Sequence, residues 1–134
     1  MARKLVAYQH VARHRLGCGV DVVELPRFRQ AVGRGGRRFL ERIFTPHELA
    51  YAGSRPRTRL LHLAARFAAK EAVIKAVAQL APGVLVTMRH VEIRNDRLGR
   101  PHVALRHPKL RGTTVAVSLS HVNSVAIANA IARK

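Results

Sequence analysis

Two carboxylates are unusual because each lies in an apolar stretch of a strongly basic chain. The 134 residues include 25 Lys and Arg against 7 Asp and Glu. Asp21 is the only charge in LGCGVDVV, and Glu71 lies in RFAAKEAVIKA, four residues before Lys75. Proteins hold Mg²⁺ through one or two carboxylates together with substrate phosphates. Asp21 and Glu71 therefore indicate a candidate magnesium site.

Simpler roles are open for both carboxylates. Glu71 and Lys75 could form an ordinary surface ion pair, worth about 0.2–0.5 kcal/mol. Asp21 could cap a turn at the end of its strand. Burial decides between these roles, because a carboxylate withdrawn from water needs a cation or several hydrogen-bond donors. Four other acidic residues are expected on helix surfaces or beside a strand end: Glu41, Glu48, Glu92 and Asp96.

The first part of the chain predicts one strand followed by helical segments. LGCGVDVVEL (16–25) is apolar and rich in β-branched residues, which predicts a buried strand. Pro26 suits the first turn of the next helix, and the glycines within 33–36 are expected to break that helix. The sequence from Thr45 to Glu48 matches a capping box, which begins another helix.

A long helix is predicted for 59–78. On a helical wheel, three cations form one side that is expected to be solvated: Arg59, Arg66 and Lys70. Small residues form another side suited to close packing: Ala65, Ala69, Ala72, Val73 and Ala76. Glu71 and Lys75 lie on neither side, and Arg66 is about 140° around the helix from Glu71.

The rest of the chain predicts four strands joined by short turns, at 84–95, 100–107, 113–120 and 124–132. Short connections favour antiparallel pairing. The predicted fold is α+β, with a long helix packed on a mostly antiparallel sheet. We expect a single domain at 15–134 after a basic N-terminal extension at 1–14.

The amino-acid composition indicates which kinds of partner and which cellular compartment to expect. Hydrophobic residues make up 48% of the chain, so the formal charge of +18 belongs to a folded protein and indicates anionic partners. Aromatic residues make up only 4%, which weakens a base-stacking role in nucleic-acid binding. Cys18 is the single cysteine, and no run has the length of a membrane span or the apolar core of a signal peptide. A cytoplasmic protein that does not enter the membrane is expected.

Five motifs in order carry a family resemblance: GVDVVEL, ERIFTPHE, ARFAAKEAVIKA, LGRP and VSLSH. In this order and spacing the chain resembles the small holo-acyl-carrier-protein synthases of the 4′-phosphopantetheinyl transferase family, over 17–132. The resemblance implies that 4′-phosphopantetheine passes from coenzyme A to a serine of an apo acyl carrier protein, leaving 3′,5′-ADP. It also implies a requirement for Mg²⁺.

The resemblance further implies roles for individual residues. Asp21 and Glu71 would bind Mg²⁺. Lys75 would face the phosphates or help to deprotonate the serine, and the normal basicity of a lysine favours the first role. Arg66 would reach the nucleotide end of the coenzyme. The residues implied in coenzyme binding are Arg66, Lys75, Gly99, Arg100, Pro101, Ser118, Ser120 and His121.

An acidic carrier protein is implied as the partner, docked on the first helix. Arg27 is the main docking candidate, and Arg37 and Arg38 are weaker ones. The alternative is that all three are solvated charges without a docking role.

The resemblance also implies a homotrimer that binds coenzyme A between subunits. The segments 113–120 and 124–132 carry apolar or small residues on both faces, and one long helix can cover only one face. The carboxylate pair of one subunit would then share a coenzyme with Ser120 and His121 of its neighbour.

Two other functions are compatible with parts of the sequence. A small basic nucleic-acid-binding protein would use the high positive charge, but it has no use for Asp21 or Glu71. A catalytically silent relative would bind carrier proteins without modifying them. Whether the carrier serves fatty-acid or polyketide synthesis stays open at this point.

Overall fold

The computed structural model describes residues 16–134, so the predicted basic extension at 1–14 lies outside the described residues. This part of the chain contains five strands and three α-helices. In chain order they are β1 (Leu16–Glu24), α1 (Leu25–Ile43), α2 (Pro46–Gly53), α3 (Arg59–Leu80), β2 (Val91–Asn95), β3 (Pro101–Leu105), β4 (Thr114–His121) and β5 (Val125–Arg133). None of the described helices is long and apolar enough to cross a membrane.

The strands form two antiparallel sheets, and α3 contacts both. The larger sheet has the order β1-β5-β4, and β2 pairs with β3 in the smaller one. In the larger sheet, Asp21 of β1 and Leu119 of β4 both lie opposite Ala128 of β5. The predicted α+β fold with a long helix on antiparallel strands is confirmed.

Small residues allow α3 to pack closely on the larger sheet. Gly17 and Gly19 of β1 lie so near the helix that an added Cβ would sit 2.0 Å from the carbonyl oxygens of Ala76 and Ala72. Alternate alanines of β5 are at most 1% exposed: Ala126, Ala128, Ala130 and Ala132. The predicted small-residue side of the long helix is confirmed, because all of its members are buried.

Helix α1 is continuous through most of its glycine-rich stretch. Gly33 and Gly35 keep the helical conformation, whereas Gly36 has a φ of 56° and a ψ of −146°. Glycine adopts a positive φ without the steric cost that a side chain would add. The predicted break is therefore a single kink at Gly36.

The strand predicted for 84–95 is wrong before Val91. Residues 88–90 form a 3₁₀ turn in which the backbone N–H of His90 donates to Thr87 O at 3.0 Å. The backbone N–H of Thr87 donates in turn to His90 Nδ1 at 3.0 Å. These local hydrogen bonds take the place of a strand ladder, so β2 begins only after the turn.

The predicted solvated cationic side of α3 is wrong for two of its three residues. Arg59 is exposed, but Arg66 and Lys70 are only 4% and 0% exposed. The Lys70 ammonium donates to Glu48 Oε2 at 2.6 Å, and Glu48 is itself fully buried. The covering elements, α2 and β2, come from other parts of the chain, so a helical wheel cannot show them.

Glu48 completes the predicted capping box but is not the surface residue that was expected. Its Oε2 accepts from the Thr45 backbone N–H at 2.8 Å, and Thr45 Oγ1 accepts from the Glu48 backbone N–H at 3.3 Å. Its Oε1 accepts from the backbone N–H of Ile93 at 2.8 Å. One buried carboxylate therefore joins α2, α3 and β2, and its several donors offset the cost of burying the charge.

Glu92 also differs from its expected place, because it is buried within β2. Arg94 and Arg106 donate to its carboxylate. Burial raises the pKa of Glu92, but hydrogen bonds from Thr45 and the two arginines lower it to about 2. The other expectations for acidic residues hold, since Asp96 directly follows β2 and Glu41 is exposed on α1.

Candidate functional site

Asp21 and Glu71 line one cavity of about 620 Å³ between β1, α1 and α3. Asp21 is on the same side of β1 as Gly17 and Gly19, because side chains alternate along a strand. The close approach of Gly19 to Ala72 brings this side of the strand next to the helical turn that carries Glu71. The structure thus places at one cavity the two carboxylates that the sequence indicated as candidate site residues.

The two carboxylates affect one another electrostatically. Burial raises the pKa of Glu71 above its usual value, and the charge of Asp21 raises it further. Lys75 acts in the opposite direction and lowers the pKa of Glu71. Like charges in partly buried surroundings disfavour ionisation, and a nearby cation relieves this effect. The site is therefore suited to a cation in addition to Lys75.

Lys75 is bound to the Asp21 side of the pair. Its Nζ donates to Asp21 Oδ1 at 2.8 Å and to the backbone carbonyl of Val20 at 3.0 Å. The hydrogen bond with Asp21 is the main cause of a raised pKa at Lys75. The side chain is half exposed, so it can also reach a ligand from solvent. A charged ammonium at this position fits an electrostatic role better than that of a general base.

The donor set at this cavity fits Mg²⁺. Within residues 16–134, no group of three or more His, Cys, Asp or Glu side chains could hold a metal ion. Zn²⁺ sites in proteins are usually built from His and Cys, which are missing from this cavity wall. Mg²⁺ instead accepts one or two carboxylates and keeps waters or phosphate oxygens as its other ligands. Two partly buried carboxylates on the wall of a cavity match that preference.

The same cavity has an apolar wall and a cationic rim. The ring of Phe28 lies 6.5 Å from that of Phe39 and 5.6 Å from that of Phe67, measured between centroids. Arg27 lines the cavity next to the carboxylate pair and is exposed. Glu24 also lines the cavity, with its Oε2 4.0 Å from Arg27 Nη1, so apolar, acidic and basic groups meet at this wall.

The other two predicted docking residues lie farther along α1, beyond the kink. Arg37 and Arg38 are both exposed, and neither lines the cavity. Arg37 Nε donates to Glu41 at 2.5 Å, so part of its charge is already paired. Among the three predicted docking residues, Arg27 is the one that lies beside the carboxylates.

A second cavity, of about 350 Å³, lies between α2, α3, β4 and the turn that joins β2 to β3. Five residues predicted to bind coenzyme line it: Arg66, Gly99, Pro101, Ser118 and His121. The sequence analysis did not predict three further residues of the wall that carry polar groups: Tyr51, His62 and Asn95. His62 lies one helical turn before Arg66, and this spacing could have revealed it. Tyr51 and Asn95 come from α2 and β2, and no sequence spacing relates them to the helix.

Three residues predicted to bind coenzyme do not line this cavity: Arg100, Ser120 and Lys75. Arg100 is exposed, and its Nε donates to Asp96 Oδ2 at 2.7 Å. Ser120 is exposed near the end of β4, between Leu119 and His121, which do line the cavity. Lys75, which was also predicted to bind coenzyme, lies at the carboxylate pair.

The two cavities lie on different sides of α3. Phe67 and Glu71 line the carboxylate cavity, whereas His62 and Arg66 line the second one. The two walls share no residue. The structure therefore agrees with the helical-wheel prediction that Arg66 and Glu71 do not share one surface.

Comparison with known proteins gives a consistent result over nearly the whole chain. The profile of the 4′-phosphopantetheinyl transferase superfamily matches residues 17–130. A holo-[acyl-carrier-protein] synthase of Ruminiclostridium cellulolyticum is 39% identical over 119 residues, which cover 84% of this chain and 88% of the relative. A holo-[acyl-carrier-protein] synthase of Shewanella amazonensis is 42% identical over 123 residues, which cover 87% of this chain and 96% of the relative. The fold is similar to that of the ACPS–CoA complex of Chronobacterium ammoniagenes, with a TM-score of 0.76, 34% identity, and coverage of 90% of this chain and 98% of that chain.

Proposed function

Since the chain belongs to the 4′-phosphopantetheinyl transferase superfamily, as one of its holo-acyl-carrier-protein synthases, we propose how its two cavities carry out the transfer. In this reaction a serine oxygen of the apo carrier protein attacks the phosphorus that bears the pantetheine arm of coenzyme A. The phosphoanhydride bond breaks, and 3′,5′-ADP leaves. The observation that carries the assignment of the reacting centre is that Asp21 and Glu71 line one cavity while Lys75 donates to Asp21.

Asp21 and Glu71 are the proposed magnesium ligands. When bound there, Mg²⁺ supplies positive charge that offsets the negative charge developing on the breaking phosphoanhydride. Lys75 would add a second positive charge on the Asp21 side and orient the diphosphate. The raised pKa of Glu71 supports this assignment, because a bound cation would relieve the repulsion between the two carboxylates.

The second cavity is the proposed site for the nucleotide end of coenzyme A. Its wall combines aromatic and aliphatic surface with a few polar groups, which is the usual composition of a site for a small organic ligand. Buried Arg66 also has an Nε atom without a hydrogen-bond partner among the described residues. An acceptor on a bound ligand would satisfy it. Arg100 and Ser120 border this cavity and would contact the coenzyme outside the cavity wall.

Mass spectrometry of an apo carrier protein tests the proposed reaction directly. We expect the purified protein with coenzyme A and Mg²⁺ to add one phosphopantetheine group to the carrier, and chelation of Mg²⁺ to stop the addition. A carrier whose serine is replaced by alanine provides the control. An unmodified carrier under all conditions would contradict the proposed function, and transfer that persists with a chelator would contradict only the metal assignment.

The carrier protein is proposed to dock on α1 beside the carboxylate cavity. Arg27 provides a positive charge at the rim, and Arg37 and Arg38 extend the positive surface along the helix. The apolar wall around Phe28 would accept an apolar side chain of the carrier. Docking there would place the carrier serine close to the carboxylate pair.

Arg27→Glu is expected to raise the KM for carrier protein about tenfold, mainly by slowing association, with little change in the KM for coenzyme A. Arg111→Glu is the matched control, because Arg111 is also exposed and the change in net charge is the same. Steady-state kinetics with each substrate varied in turn measures both constants. Equal effects of the two variants would mean that total charge, and not a docking site at Arg27, attracts the carrier.

The working unit is proposed to be a homotrimer with coenzyme A bound between subunits. The face of the larger sheet that α3 does not cover carries five large apolar residues that are 40–59% exposed: Leu16, Val20, Val22, Ile127 and Ile131. Contiguous exposed apolar surface of this kind marks an interaction site. The separation of the two cavities by α3 supports a shared site, because a neighbouring subunit could bring its second cavity to the carboxylate pair.

Light scattering is expected to give three times the 14.9 kDa mass of the chain. A mixing experiment tests the shared site. Inactive Glu71→Ala and weakened His121→Ala chains, unfolded and reassembled together in equal amounts, should form intact sites at about a quarter of positions. Each variant reassembled alone is the control. A monomeric mass, or a mixture no more active than the sum of its parts, would contradict the shared site.

The proposed enzyme is a single domain at 15–134 with the basic segment 1–14 as an extension, and the family profile covers most of that domain. Its proposed location is the cytoplasm. The unpaired thiol of Cys18 supports this, because a reducing compartment preserves free thiols.

A further inference from the structure

The side chain of Asn95 connects α3 to the turn between β2 and β3. Arg66 Nη2 donates to Asn95 Oδ1 at 2.6 Å. Asn95 Nδ2 donates to the backbone carbonyl of Gly99 at 2.9 Å. Asn95, Arg66 and Gly99 all line the second cavity. One amide group therefore connects two parts of the cavity wall and fixes their relative positions.

Arg66 depends on neighbouring groups for its orientation because it is only 4% exposed. Its guanidinium carbon lies 3.9 Å from the ring centroid of Tyr51, and Nη1 makes a long contact of 3.4 Å with the carbonyl of His62. The bond to Asn95 is the shortest that the guanidinium makes among the described residues. A guanidinium presents its donors in a fixed plane, so this bond also sets the direction of the unpartnered Nε–H.

The turn at Gly99 is braced internally by Asp96. Asp96 Oδ1 accepts from the backbone N–H groups of Leu98 and Arg100 at 2.8 and 2.9 Å. Gly99 has a φ of 79°, a conformation that L-residues with side chains rarely adopt. The turn is thus a preformed unit, and the amide of Asn95 attaches this unit to Arg66.

We propose that Asn95 is a positioning residue for coenzyme binding, which acts through Arg66 and the Gly99 turn. The inference rests on the proposed function of the second cavity. Asn95 offers one acceptor and uses it on Arg66, and it uses one of its donors on Gly99. Its effect on the coenzyme is therefore carried by the two groups that it holds in place.

The first test replaces Asn95 by leucine, which has a similar size but no hydrogen-bonding groups. Asn95→Leu is expected to raise the Kd for coenzyme A, measured by calorimetry without carrier protein, about tenfold. The KM for carrier protein should stay within about twofold, because its docking surface lies on the other side of α3. Thr113→Val is the control, since it removes another partly buried polar group, one outside both cavities.

The readouts separate positioning from a loss of stability. Simple destabilisation lowers the amount of folded enzyme without changing either KM, so an unchanged Kd for coenzyme A would overturn the proposal. Equal increases in both KM values would overturn it as well. If the wild-type protein itself did not bind coenzyme A, the proposed function would fail together with this inference, and that result is recognised before any variant is made.

A double-mutant cycle tests whether Asn95 acts through Arg66. Arg66→Met keeps the apolar stem of the buried side chain and removes its hydrogen bonds. The combined increase in Kd for coenzyme A in the double variant is expected to be smaller than the product of the two single increases. A purely multiplicative result would show that the two residues act independently and would overturn the proposal.

Discussion

Glu71→Gln is expected to lower kcat for phosphopantetheine transfer about a thousandfold, because it removes one of two proposed magnesium ligands and keeps the shape of the side chain. A metal ion that offsets developing charge contributes several kcal/mol to catalysis, and about 4 kcal/mol corresponds to a factor of about a thousand. Rates should be measured with both substrates saturating and the Mg²⁺ concentration varied. Asp21→Asn should have a similar effect.

The double variant Asp21→Asn/Glu71→Gln should lower kcat only slightly more than either single variant does, since both changes remove parts of one binding site. Glu41→Gln is the matched control, because it makes the same chemical change at an exposed position on α1. The temperature of unfolding should be nearly unchanged in Glu71→Gln, as the residue is only half-buried. Full activity with an unchanged dependence on Mg²⁺ would rule out Glu71 as a metal ligand.

Lys70→Met is expected to lower the free energy of unfolding by about 3–5 kcal/mol, because it leaves the buried charge of Glu48 without its cation. Single domains are stable by only about 5–15 kcal/mol, so the loss is a large part of the total. The Lys70 and Glu48 side chains are both fully buried and 2.6 Å apart, which distinguishes this pair from the exposed ion pairs of the chain. Urea unfolding at one fixed protein concentration measures the change, since assembly would otherwise alter the apparent stability.

Lys75→Met is the matched control for Lys70→Met. It makes the same substitution on the same helix, but its ion pair with Asp21 is half exposed on the lysine side. Exposed pairs contribute about 0–1 kcal/mol, so the free energy of unfolding should change little. Lys75→Met should nevertheless impair transfer, whereas any enzyme that stays folded after Lys70→Met should keep most of its kcat. A loss below about 1 kcal/mol in Lys70→Met would show that the buried pair does not hold the fold together.

The carboxylate site could be predicted because its signals are local. The glycines at 17 and 19 and Asp21 lie within five residues of one strand, and Glu71 and Lys75 are one turn apart on one helix. Strand alternation and helical periodicity then determine which side chains share a face. A charge in an apolar stretch marked each carboxylate as a candidate, since a buried carboxylate needs a partner, and the family resemblance implied that the two act together.

The burial of α3 side chains and the start of β2 could not be predicted, because they depend on which elements pack against each other. A local sequence pattern does not show this packing. Lys70 and Arg66 have the spacing of an exposed cationic stripe, yet α2 and β2 bury both. Residues 84–90 are apolar enough for a strand, but the turn formed by Thr87 and His90 takes their backbone hydrogen bonds.

The sequence by itself determined the α+β fold and the small-residue side of the long helix, because each follows from periodicity within single elements. It also marked Asp21 and Glu71 as candidate site residues, but the packing of β1 on α3 is what brings them to one cavity. The tertiary structure alone decided the buried pair of Glu48 and Lys70 and the second cavity with Tyr51 and Asn95. These features join residues of three or four elements that are distant in sequence. Their side chains come within hydrogen-bonding distance only after the helices and sheets have packed, so their positions are set by the whole fold.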